Sequence, residues 1–287
     1  MHTYPSYVAP SGRAITEFVK QNPFAVVVTS TDGAPLATHT PIVFPPGVEP
    51  GETLVGTRLW GHVGRANEHW KLFAERPEVL LVFSSSHAYV SPSSYEFTPA
   101  VPTLDYATVH LTGRVTVLEE PEENLAVVEQ TVQQFEDRRR EAWDPTDSRD
   151  VFKKILNGVV SFTIDIETES AMFKLSQDMP TDVHARVRDD LREGDHRHPD
   201  VADLMDRVGV TCPEGLPDQG YPASRRAERR PISSERTSPR PSGFSPRVML
   251  ASRPTVSRAS SSGRRLIAVI GGCAVRVWSA SVPHASR

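Results

Sequence analysis

Cysteine is nearly absent from this 287-residue chain, which has only Cys212 and Cys273. Everything before Cys212 therefore lacks a disulfide framework and thiolate metal ligands, so metal-linked chemistry there has to use nitrogen or oxygen donors. Long apolar runs are missing too. Leu266 to Val277 is too short for a bilayer and is interrupted by Gly271-Gly272 and Arg276. Met1 to Pro10 has no basic stretch followed by an apolar one, so no secretory leader is expected and the cytoplasm is the expected compartment. Neither a GxGxxG nor a P-loop pattern occurs, which argues against a parallel nucleotide-binding sheet. From Pro213 onward there is no lysine.

That last absence marks a change of character. Of 32 basic and 36 acidic residues, 13 arginines and 4 acids fall beyond Cys212, leaving 19 basic and 32 acidic before it. The net charge of −4 thus combines about −13 and +9 over two unlike regions. Residues 1–212 have the apolar periodicity of one sizeable domain, whereas residues 213–287 are rich in Arg, Ser and Pro and are expected to be a disordered tail. No aromatic residues interleave with the tail's arginines in a binding motif, and the acidic body repels DNA, so neither nucleic acid nor membrane is an expected partner. Trimming the chain at Pro213 is expected to leave activity intact.

Within the body, strands dominate. Ser11 to Gln21 reads as a helix capped by Ser11 and stopped before Pro23. Phe24 to Ser30 reads as a strand, and Thr31-Asp32-Gly33 as a hairpin turn leading into Pro35 to Phe44. Further strands are expected at Leu54 to Thr57, Val79 to Ser84, Thr108 to Leu118 and Gly158 to Ile166, with a helix over Pro121 to Arg139 and another starting near Pro180. Many short strands with few helices between them point to an antiparallel barrel.

The chemistry concentrates in a few patches. In Leu59-Trp60-Gly61-His62-Val63-Gly64-Arg65-Ala66-Asn67-Glu68-His69-Trp70, the two glycines permit a tight reversal, and Arg65 to Ala74 reads as a helix. His62 would then sit on a glycine corner, presenting a ring nitrogen where a helix N-terminus also converges; a packing or capping role is the alternative. Ser86-His87-Ala88-Tyr89-Val90-Ser91-Pro92 reads as a serine-rich strand end able to serve a phosphate or propionate. Met172-Phe173-Lys174-Leu175-Ser176-Gln177 places a lysine and a glutamine in a strand-to-helix link. Ligation by both His62 and His69 is not expected, because the corner would aim them apart, and His39 and His110 read as core or interface histidines.

Taken in order, these patches resemble the PaiB-like family, known as FMN-binding negative transcriptional regulators. The likeness is carried by Asn22-Pro23-Phe24, Thr38-His39-Thr40-Pro41, Gly61-His62 with Arg65-Ala66-Asn67 and Trp70, His87 to Pro92, Val101-Pro102-Thr103, Val109-His110 with Gly113, and Lys174 to Gln177. It covers most of residues 1–210. The chain departs from the family with Glu68 where proline is frequent and Leu104-Asp105 where Trp-Asn is frequent. Within the family, Leu59 to His62, Thr98 to Thr103 and Met172 to Gln177 resemble the haem-dependent piperazate synthases.

The resemblance implies an α+β fold with a split β-barrel and flanking helices, and a homodimer with its pocket near the interface. It also implies haem b, with FMN as the alternative. The implied reaction joins the α-amine of N5-hydroxy-L-ornithine to its N5 with loss of water, giving L-piperazic acid for nonribosomal peptides. A ferric haem with one open face would act as Lewis acid, with His62 as its metal ligand. Arg65 and Lys174 would pair with propionates or the substrate carboxylate, Trp70 and Tyr89 would wall the cofactor, and Asn67, Ser91 and Gln177 complete the implied binding set. Tyr106 or a water would take the released proton, which makes His62, Tyr106 and Lys174 the expected catalytic group. Two rivals share the fold: a flavin-binding regulator or reductase with Lys174 and Ser91 on the FMN phosphate, and a haem-degrading enzyme.

Overall fold

The computed structural model describes residues 1, 2, 4–49, 51–210, 268–270 and 273–275. The chain divides into two compact units, Met1–Arg230 and Pro231–Arg287. The first is built on a closed antiparallel barrel of six strands. These are β1 (Phe24–Thr29), β2 (Leu36–Val43), β3 (Arg58–Gly64), β4 (Glu78–Val90), β5 (Thr103–Val117) and β6 (Val159–Lys174), closing in the order β1-β2-β3-β6-β5-β4. With its flanking helices this is the expected α+β architecture. Closure removes the exposed edges that an open sheet would present.

The first elements follow local signals. α1 (Gly12–Gln21) is capped by Ser11, whose hydroxyl accepts from the Ala14 N–H at 3.1 Å. β1 then pairs with β2 from Phe24↔Pro41 to Thr29↔Leu36, the expected hairpin. Ala25 and Val27 of β1, Leu59 and Val63 of β3, Leu81 and Phe83 of β4 and Phe162 and Ile164 of β6 point inward and are buried. Two glycines let strands approach closely. A Cβ on Gly61 would lie 2.6 Å from the Phe162 ring and 2.7 Å from Ile42, and one on Gly113 would lie 2.2 Å from the Asp165 carbonyl oxygen.

Three local expectations give way to tertiary structure. Leu54 to Thr57 is a reverse turn closed by Thr57 N–H to Leu54 O at 2.9 Å, with Gly56 at φ 83°; the strand begins at Arg58. Residues 65–74 form no α-helix but a short 3-10 turn over Glu68–Leu72, because burial of the His69 side chain draws this segment onto the barrel. The strand expected at Val79 to Ser84 runs on through a register shift between Ser84 and His87 and ends at Val90, inside the Ser86 to Pro92 patch. Ser85 Oγ accepts the Ala107 N–H at 2.9 Å, so the ladder to β5 stays satisfied across the irregularity.

Helices cover the barrel's outer faces. α2 (Pro121–Glu136) starts on proline with Glu122 and Glu123 in its first turn, where the helix dipole favours acids. Polar bonds pin it at both ends. Asn124 donates to Leu156 O and Val159 O and accepts from Ser161 Oγ, while Gln130 donates to the Phe44 carbonyl at 2.9 Å and Gln134 accepts the Phe44 N–H at 3.1 Å. α3 (Arg149–Ile155) precedes β6. α4 (Thr181–Glu193) and α5 (Pro199–Val208) pack through Val187, Leu191, Val201 and Met205, with Arg192 bridging Asp203 and Asp206 at 2.7 and 2.9 Å. None of the helices among the described residues is long and apolar enough to cross a membrane.

The second unit contains a two-stranded antiparallel sheet, β7 (Ala268–Ile270) against β8 (Cys273–Val275). The expected boundary at Cys212/Pro213 and the rest of the expected tail lie outside the described residues.

Candidate functional site

Alternation along β3 decides where His62 goes. Leu59, Gly61 and Val63 face the barrel interior, so Trp60 and His62 face outward and are only partly covered. His62 is therefore a mid-strand residue, opposite Ser161 on β6, and not the glycine-corner residue expected from its neighbours. Gly61 serves the core beside it and makes no turn. The His62 carbonyl accepts the Thr40 hydroxyl, and α2 lies over the ring.

Between α2 and the strands lies a pocket of about 410 Å³ lined by Pro41, His62, Val128, Thr131, Val132, Phe135, Glu136 and Trp143. His62 Nδ1 lies 3.4 Å from Thr131 Oγ1. Burial lowers the His62 pKa below the ordinary histidine value, so the ring is neutral at pH 7. Glu136 borders the pocket with its Oε2 accepting the Trp143 N–H at 2.8 Å and 3.6 Å from Arg139. No cluster of three or more His, Cys, Asp or Glu side chains suited to a metal ion occurs among the described residues.

The segment after β3 is used structurally. Arg65 Nε and Nη2 donate to Asn157 O and Val159 O at 2.8 and 3.1 Å, and its guanidinium lies 5.7 Å from the Trp70 ring centroid. Trp70 Nε1 donates back to Arg65 O at 3.1 Å. Asn67 caps the 3-10 turn by accepting the His69 N–H and donates to Thr38 Oγ1, both at 3.1 Å. His69 is buried with both ring nitrogens paired, Nδ1 to Thr38 Oγ1 at 2.9 Å and Nε2 to Thr29 Oγ1 at 2.8 Å, so neither nitrogen is left for a ligand. His39 is exposed and stacks on Phe24, whereas His110 is partly covered on β5.

A second constellation lies at the other end of β6. Tyr106 pairs in register with Lys174, thirteen positions along the strand from Ser161, the partner of His62. At ~3.3 Å per residue that is roughly 40 Å of strand contour. One chain thus separates the expected catalytic group into His62 at one end and Tyr106 with Lys174 at the other. Lys174 Nζ donates to Thr103 Oγ1 and to Leu104 O, and sits 5.5 Å from the Tyr7 ring centroid. Burial lowers its pKa, with Asp105 and Asp178 opposing. Tyr106 OH approaches Met172 Sδ at 3.8 Å.

Beside them, Asp105 is wholly buried. One carboxylate oxygen accepts the Ser176 hydroxyl at 2.7 Å and the other has no hydrogen-bond partner among the described residues. Burial raises its pKa to about 7. Gln177 is equally buried, and its amide is spent locally, accepting the Leu175 N–H at 2.7 Å and donating to Phe173 O. Ser91 caps the 3-10 turn over Pro92–Tyr95 and accepts from Ser93, while Tyr89 is 54% exposed on β4.

The pocket wall itself escaped sequence reading. Val128, Thr131, Val132 and Phe135 repeat at helical spacing, a signal identical to that of an ordinary core-facing stripe.

Residues 1–168 match the family model described as "Putative FMN-binding domain". The chain is similar to the protease synthase and sporulation protein PAI 2 of Bacillus subtilis (strain 168), at 31% identity over 197 residues, covering 67% of this chain and 90% of that protein. An uncharacterised protein of Saccharomyces cerevisiae is 29% identical over 108 residues, covering 36% of this chain and 61% of that protein. Among solved structures, the FAD and haem binding protein from Mycobacterium smegmatis aligns at 15% identity and a TM-score of 0.41, covering 75% of this chain and 94% of that one.

Proposed function

The chain belongs to the PaiB-like family of FMN-binding-domain proteins, and from that premise we propose that it is a haem b-dependent piperazate synthase closing N5-hydroxy-L-ornithine to L-piperazic acid in the cytoplasm. The setting of His62 supports this most: one neutral imidazole at an apolar pocket, with no metal-ligand cluster among the described residues. A bare divalent ion needs three or four protein donors, whereas a single histidine would suffice to hold a haem iron. Pro41, Val128, Val132, Phe135 and Trp143 give the apolar contacts that a porphyrin face would use.

When bound there, haem supplies a Lewis-acidic iron that polarises the N–O bond. The chain's residues supply the remainder. His62 would hold the group through Nε2, and Pro41, Val128, Val132, Phe135 and Trp143 would pack against its face. In the balanced step the α-nitrogen lone pair forms the N–N bond, the N–O bond breaks with its electron pair leaving on oxygen, and the proton shed by the α-nitrogen completes the water. Glu136 lines the same pocket as His62, so its carboxylate is better placed than Tyr106 to attract the substrate ammonium and hold that proton. Lys174 and Tyr106 take part only if a second copy in a homodimer carries them to the pocket.

The test is a spectrum of the purified full-length chain followed by mass analysis with N5-hydroxy-L-ornithine. A Soret band and a product lighter by one water are expected. A flavin doublet without haem would instead favour the reading that the family's description suggests, an FMN-binding regulator or reductase.

A further inference from the structure

We propose that Thr131 is the positioning residue that holds His62 as its Nδ1–H tautomer and leaves the Nε2 lone pair as the reactive atom of the pocket.

A hydroxyl has one proton to give and two lone pairs. Thr131 Oγ1 gives its proton to the Val127 carbonyl one turn back, at 2.8 Å, the back-bond that threonine makes inside helices. Thr131 is buried mid-helix, so water does not compete for that proton. Toward His62 Nδ1, at 3.4 Å, it has only a lone pair to offer. The ring must therefore bring the proton, and a neutral ring protonated at Nδ1 is bare at Nε2.

The backbone around both residues is fixed independently. Thr40 holds the His62 carbonyl, Ser161 beside His62 is tied to Asn124 at the start of α2, and Gln130 and Gln134 tie the following turns to Phe44. The ring and the hydroxyl thus face one another across a clamped interface. Partners of this kind set the orientation and basicity of metal-bound histidines, and losing one typically costs 10–100-fold in affinity.

Only the identity of what Nε2 ligates rests on the haem reading; the tautomer does not. The experiment uses full-length protein labelled with ¹⁵N-histidine, without haem, and reads the His62 ring nitrogens by long-range ¹H–¹⁵N correlation above pH 7. A protonated Nδ1 and a pyridine-like Nε2 are expected in the native protein and in Thr131→Ser, with a shift toward Nε2–H in Thr131→Val. Haem titration of the same samples should show about tenfold weaker binding for Thr131→Val and recovery in Thr131→Ser. An Nε2–H ring in the native protein, or an unchanged tautomer in folded Thr131→Val, overturns the proposal. Failure of haem to bind a native protein with bare Nε2 would sink the haem reading while leaving the role of Thr131 standing.

Discussion

The two ends of β6 use similar residue types to opposite effect. Near Ser161, a histidine with Nδ1 3.4 Å from Thr131 Oγ1 meets apolar side chains and a single carboxylate. Near Lys174, a lysine, an aspartate, a serine and a glutamine are turned on one another and on the backbone. The His62 ring borders an apolar pocket under α2, whereas the Lys174 end is a knot of mutual polar contacts that leaves one buried Asp105 oxygen unpaired among the described residues.

That contrast is most exposed to His62→Ala, which should abolish the Soret band in a protein that still folds. A variant that loads haem and remains active would remove His62 from the site. Asp105→Asn probes the other end. Because its folded pKa is raised to about 7, Asp105 contributes its full share of stability below the ordinary aspartate range and loses it as pH rises from about 4 to 7. Asparagine cannot ionise, so the variant should gain on the native protein across that window by up to about 4 kcal/mol. Parallel melting curves from pH 4 to 8 would contradict this. Gln177→Ala strands the Leu175 N–H and the Phe173 carbonyl, and should cost roughly 2–3 kcal/mol in urea unfolding without altering haem affinity in the folded protein. The smallest effect is expected for Lys174→Met, whose haem affinity should change less than about twofold if the two ends act separately. A tenfold loss would show that a partner copy carries Lys174 to the pocket.

Much of the frame was legible locally. The Ser11 cap, the hairpin around Asp32-Gly33 and the helix opened by Pro121 depend on contacts within a few residues, and the pattern alone encodes those. The Leu59 to Trp70 segment was misread for the complementary reason. Its glycines looked like turn formers, yet Gly61 is demanded by the Phe162 ring from a strand a hundred residues away, and His69 draws the following turn inward through Thr29 and Thr38. The strand read as Val79 to Ser84 likewise continues to Val90, with Ser85 taking the Ala107 N–H across the irregularity.

By itself, the sequence determined that the acidic body and the arginine-rich tail differ, that the body is a strand-rich barrel of the PaiB-like family, and that His62 is its most informative histidine. Those features follow from composition, periodicity and ordered motifs. Only the tertiary structure decided that His62 stands mid-strand under α2, that Thr131 and Trp143 share its pocket, and that Lys174 and Tyr106 lie at the far end of β6. Strand alternation chooses a face, but which helix covers that face, and which residue meets which along a paired strand, depends on long-range packing and register.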